Sequence, residues 1–184
     1  MKVYFVDKMK NKEIYNSFIR YMLLNSDFFS VVYYRQGTNM LFYKDFKEYK
    51  KSLEPFLLYA ENVSEWPHTK TMGGEAVYRL MVYCADMKCY DILTRVNDIF
   101  ECSYPRAPVD LCFYRKGYCW FALTAHEKEA YLYTNNDKEV QELQKLGVDI
   151  EYWGEKGDLF YLDLYGFRQK KCSNKMEWRI LICQ

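Results

Sequence analysis

The stretch that most constrains the fold is Tyr104–Glu127, which reads YPRAPVDLCFYRKGYCWFALTAHE. Two apolar-aromatic runs, Leu111–Tyr114 and Tyr118–Leu123, are separated only by Arg115-Lys116-Gly117. Runs rich in Phe, Tyr and Trp joined by a short glycine-containing loop predict a β-hairpin, the glycine supplying positive φ where the turn needs it. Pro105 and Pro108 stiffen the approach and keep it extended. At the far end Thr124-Ala125-His126-Glu127 sets one of the chain's two histidines beside a carboxylate.

The remaining segments mix helix and strand signals. Asn11–Leu24 carries Ile14, Phe18, Tyr21 and Met22 on one helical face, and Phe28–Arg35 (FFSVVYYR) reads as a central strand with apolar side chains on both sides. Gln36–Asn39 is a loop. Phe42, Phe46, Tyr49 and Leu53 define a second helix, lysine-rich on its outer side and ended by Pro55. Phe56–Tyr59 predicts a short strand, Ser64–Gly74 the longest loop, and Val77–Cys84 a strand. Asp86 is placed to cap a helix over Met87–Phe100, and Asn136 to cap another, with Glu139 three residues on in a capping-box-like spacing and Gly147 at its end. Val148–Tyr152, Leu159–Tyr165 and Glu177–Ile182 complete the strands, with a basic segment Arg168–Lys175 before the last. No regular β-α-β alternation runs through the chain. The expected fold is α+β: one domain over residues 1–184, a mainly antiparallel sheet with about four packed helices.

Composition narrows the function classes. Twenty-six basic against 25 acidic side chains leave a net charge of +1, which gives no bulk attraction for long nucleic acid or an anionic membrane. No run approaches the ~18 apolar residues that span a bilayer, and the N-terminal MKVYFVDKMKNK lacks the apolar core of a secretory signal. Seven cysteines, an odd number with no Cys-x-x-Cys pair, predict free thiols in a reducing cytoplasm.

FFSVVYYR, the EWPHTKT loop and DLCFYRKGYCWFALTAHE, taken in order, resemble a family of small proteins from endospore-forming bacteria and their mobile elements, some labelled stage III sporulation protein AH. The resemblance runs from about Asp27 to Gly147 and implies a bacterial or phage-borne cytoplasmic protein; it assigns no residue a role.

Chemistry-bearing residues concentrate in two Pro-containing loops and the hairpin: Trp66, His68, Tyr104, Arg106, Tyr114, Arg115, Tyr118 and Trp120. Aromatic faces stack on bases and arginine pairs with phosphate, so these residues predict a pocket for a small anionic, nucleotide-derived ligand, held without catalysis. A phage-borne protein could sequester an immune signal in this way. The alternative reading is a protein-interaction module, an inhibitor or immunity protein that uses a Tyr-rich face for a protein partner or a second copy. A third is a thiol enzyme built on Cys119 or Cys112 with His126 and Asp110. Neither phosphate-loop nor dinucleotide glycine signatures occur, and Cys102, Cys112, Cys119 and His126 are too irregularly spaced for a zinc knuckle. No cofactor or metal is expected.

Overall fold

The structure, a computed structural model, describes residues 1–34, 44–74, 78–104 and 106–162. The predicted loop Gln36–Asn39, the helix position Phe42, the basic segment Arg168–Lys175 and the strand Glu177–Ile182 lie outside those residues.

The N-terminal residues that sequence reasoning left unassigned form β1 (Lys2–Val6). Asn11 then accepts a hydrogen bond from the Ile14 amide at 2.9 Å and starts α1 (Lys12–Leu24), which buries Tyr15, Phe18, Ile19 and Met22. There follow β2 (Phe28–Tyr34), α2 (Lys44–Leu53), β3 (Leu57–Val63), β4 (Glu65–Trp66), β5 (Thr69–Lys70) and β6 (Tyr78–Cys84). The segment predicted as the longest loop is thus organised around a small hairpin, β4–β5.

The helix expected over Met87–Phe100 is mostly absent. A 3₁₀ turn leads into the four-residue α3 (Tyr90–Leu93) and a second 3₁₀ turn covers Ile99–Glu101. Local polar groups divert the backbone. The Lys12 ammonium donates to the Thr94 and Val96 carbonyls, and the buried Asp98 carboxylate accepts from the amides of Met9 at 2.7 Å and Phe100 at 2.9 Å. Asp98 restarts the chain as a fresh cap rather than continuing a helix.

The predicted hairpin forms as β7 (Val109–Arg115) and β8 (Tyr118–Thr124). Lys116 and Gly117 both have positive φ, 50° and 86°, as a two-residue turn matched to strand twist requires. The chain closes with β9 (Glu129–Tyr133), α4 (Asp137–Lys145) and β10 (Ile150–Glu155). Asn136 caps α4 through the Lys138 amide; Glu139 turns away from the predicted capping box toward the Thr134 hydroxyl and Arg115.

Eight strands make one antiparallel sheet in the order β10-β1-β9-β8-β7-β2-β6-β3, and the chain is an α+β single domain. Helices cover one face, where Phe18, Leu53 and Leu143 meet Phe29, Phe113 and Phe121. The opposite face buries Val32, Val82, Cys112, Tyr114 and Cys119 beneath Trp66 of the β4–β5 hairpin and Leu162 of the segment after β10. Burial on both faces explains why FFSVVYY is apolar throughout. No helix among the described residues is long and apolar enough to cross a membrane, and the five cysteines among them are free.

Candidate functional site

Two residues of the β4–β5 hairpin build the site's roof. Trp66 is buried, and its indole N–H donates to the Asp110 carboxylate at 2.8 Å. Asp110 sits at a bulge in β7, in left-handed backbone with φ 55°, and its other oxygen accepts from the Ala125 amide at 2.9 Å. One carboxylate therefore ties the hairpin to the base of β7 and to the β8–β9 turn. Burial raises its pKa, and the two donated hydrogen bonds oppose that rise.

His68 occupies the second central position of the Trp66–Thr69 turn, with φ 64°. Its imidazole stacks on Tyr131, centroids 4.9 Å apart and planes 15° from parallel, and its Nε2 is hydrogen-bonded to the Tyr133 hydroxyl. The residue stays exposed overall, but the tyrosines shut in the ring. That desolvation, reinforced by the Lys156 charge, lowers the His68 pKa from 6.5 to about 4, so the ring is neutral at physiological pH.

Between this hairpin and the segment running from Lys156 to Phe160 lies a concavity of about 350 Å³. Its floor is Cys119, Ala122 and Tyr133, and two short side chains on the sheet leave the hollow. Lys70, Glu65, Lys156 and Asp158 line the rim in balanced charge. Lys70 pairs with Glu65 at 3.5 Å; Lys156 pairs with no carboxylate among the described residues and lies 5.7 Å from the Tyr133 ring centre. Beyond His68 the same face continues as an aromatic shelf, Tyr131, Phe5 and Trp153, with centroids 5.8 to 6.4 Å apart.

The eight residues expected to share one pocket are divided by the sheet. Only Trp66 and His68 border this concavity. Tyr114 is buried on the same face, its hydroxyl 2.8 Å from that of Ser30. Trp120 faces the helices, because β8 bulges there: Cys119 opposes Tyr114 and Phe121 opposes Phe113, so Trp120 and Phe121 both point to the helical core. Arg115 lies 3.8 Å over the Trp120 ring, donates to the Asn25 carbonyl at 2.9 Å and pairs with Glu139 at 2.7 Å. It clamps the hairpin to α1 and α4 instead of offering charge to a ligand. Tyr118 is half-buried against the helical core and near Tyr161. Arg106 lines a separate hollow of about 320 Å³ with Arg95 and Asn97 and lies 3.9 Å from the Glu101 carboxylate; Tyr104 is half-buried in the loop before β7.

The thiol and zinc alternatives are not assembled. Cys112 and Cys119 are buried on the second face, and the Cys119 thiol donates to the Phe121 carbonyl; burial pushes its pKa up, opposite to what a nucleophile needs. His126 is exposed beside Glu127, and Cys102 belongs to the helical core, bonded to Tyr15. No metal-binding cluster occurs among the described residues.

Sequence reasoning missed Phe5, Tyr131, Tyr133, Trp153 and Lys156. The alternation of Tyr131 and Tyr133 in EAYLY was the available signal for a strand with one aromatic face. No protein family, curated protein or solved structure matches the chain.

Proposed function

We propose that this chain is a binding protein, and that the concavity under the β4–β5 hairpin takes a small, planar, nucleotide-derived ligand that it holds without converting. In this reading His68 and the Tyr133 hydroxyl meet the polar edge of the heterocycle, and Lys156, which is ion-paired to no carboxylate among the described residues, meets a phosphate. A sequestering role for a phage-borne protein remains part of the same proposal. Trp66 anchors the wall and does not stack on the ligand, and Arg106 and Arg115 take no part.

The observation that carries this reading is the backbone of His68. A left-handed φ at the second central position of a turn suits glycine or asparagine, and other residues there are strained by about 1 kcal/mol. Histidine brings what glycine lacks, a ring laid on Tyr131 with its nitrogen on Tyr133. The His68 ring and the Tyr133 hydroxyl are both neutral, which favours recognition of a base edge over general acid–base catalysis.

His68→Gly separates binding from folding, because glycine relaxes the turn while removing the ring. Calorimetry against mononucleotides, cyclic nucleotides and dinucleotides is expected to find a ligand whose affinity drops by about 1–3 kcal/mol in the variant, the scale of one lost stacking face. Binding of every such ligand with unchanged affinity in the variant, or no binding by the wild type, would overturn the reading.

A further inference from the structure

We infer that β10 is a docking edge for an extended, basic segment of another protein, which pairs with it as an added strand. This surface is distinct from the concavity, and the inference does not depend on that pocket's ligand.

The sheet ends at β10 on one side and at β3 on the other. Natural edges are blunted by lysine, proline, bulges or covering loops, because unpaired backbone groups recruit other strands. β3 exposes no large apolar side chain, and most of its residues are half-buried. β10 differs: a bulge at Trp153 offsets the Val3–Gly154 pair from the Tyr4–Tyr152 pair, yet the strand leaves its large apolar side chains exposed. Tyr152 is 59% exposed and Trp153 is 69% exposed, side by side on a strand with no outer neighbour among the described residues. Tyr152 meets Tyr4 edge-on at 5.7 Å, while Trp153 joins Phe5 and Tyr131. The edge thus offers an aromatic ring to each side of an incoming strand, a pattern of open backbone plus side-chain platforms that fits strand addition.

Charge selects the occupant. Glu151 and Glu155 flank the two aromatics, are exposed, and have no cationic partner among the described residues. The bulge leaves Glu151, opposite Phe5, on the Trp153 side of the sheet and Glu155, opposite Lys2, on the Tyr152 side. A strand carrying Lys or Arg on both of its faces would therefore meet both carboxylates and lay a cation on the Trp153 face. A second copy of this chain fits poorly, since antiparallel pairing of β10 with itself gathers Glu151 and Glu155 of both copies on one short ladder, where like charges repel.

The test pans a random-peptide display library against the full chain, in parallel with Trp153→Ala and with the double variant Glu151→Lys, Glu155→Lys. All three substitutions are at exposed positions. The wild type is expected to enrich peptides with basic residues on both faces of an extended strand, and the double variant to lose them in favour of acidic ones. Binding of a synthesised hit is expected to weaken about tenfold or more in Trp153→Ala and to vanish when alternate peptide amides are N-methylated, with the Ile150–Glu155 amides protected from hydrogen exchange in the complex. Hits without basic residues, protection elsewhere on the sheet, or a wild-type dimer that the double variant alters would each overturn the inference.

Discussion

His68 and Asp110 hold the turn of one short hairpin by different electrostatic means. Asp110 is a buried carboxyl kept in place by two donated hydrogen bonds, and His68 is an imidazole kept neutral by its stacked neighbours. The histidine makes stability depend on pH in a calculable direction. Its pKa falls from 6.5 in the unfolded chain to about 4 in the folded one, so between those values the unfolded state binds a proton that the folded state refuses. His68 therefore favours the fold fully above pH 6.5 and loses that contribution as pH drops toward 4. Carboxylates titrate in the same window, but they cancel when wild type is compared with His68→Gly. Urea unfolding of both proteins between pH 7 and pH 4 is expected to show the variant gaining relative stability as pH falls. Parallel curves would show that His68 titrates normally in the folded protein.

At the scale of elements, the two-residue turn Lys116-Gly117 fixes the register that everything around it uses. Glycine at the second position is at ease with φ 86°, whereas lysine at the first, with φ 50°, is not. The Lys116 amide donates to the Asp27 carboxylate at 2.6 Å, a bond from the backbone N–H that asparagine keeps. Lys116→Asn, which creates the Asn-Gly pair preferred in such turns, is expected to raise stability by about 0.5 kcal/mol, read as a higher melting temperature with unchanged ligand binding. This hairpin was legible because its glycine, length and aromatic runs are all local. The bulge at Trp120 was not, since an extra residue in one strand leaves no mark in composition yet reverses which side chain faces which layer. The Met87–Phe100 segment was misread for a related reason: its apolar spacing is helical, but Lys12 and Asp98, one of them far off in sequence, supply polar partners that compete with the helix.

For the whole molecule, the decisive contacts join the chain's first residues to its last described strands. β1 lies between β9 and β10, and the Met1 ammonium donates to the Lys156 carbonyl at 2.8 Å. Trp66 packs on the β7–β8 hairpin through Asp110, whereas His68 lies on Tyr131 and Tyr133 of β9. The aromatic shelf beside the site was not legible in the sequence, because Tyr131, Tyr133 and Trp153 become one surface only once β1 inserts its Phe5 between their strands. That long-range closure is what the final prediction tests. Val3, Tyr4 and Val6 are all buried, and each such side chain contributes about 1.5–3 kcal/mol when shut away from water. Their joint loss is comparable to the whole stability of an ordinary domain, about 5–15 kcal/mol. Deleting residues 1–7 also strips β10 of its neighbour in the sheet and exposes the edge of β9. The truncated chain is expected to lose its cooperative thermal transition by circular dichroism, and with it both the concavity and the β10 docking edge. A cooperative melt within a few degrees of the full chain would mean that the β9-to-β3 part of the sheet folds without its first strand, and that the aromatic shelf is an addition to the core rather than a piece of it.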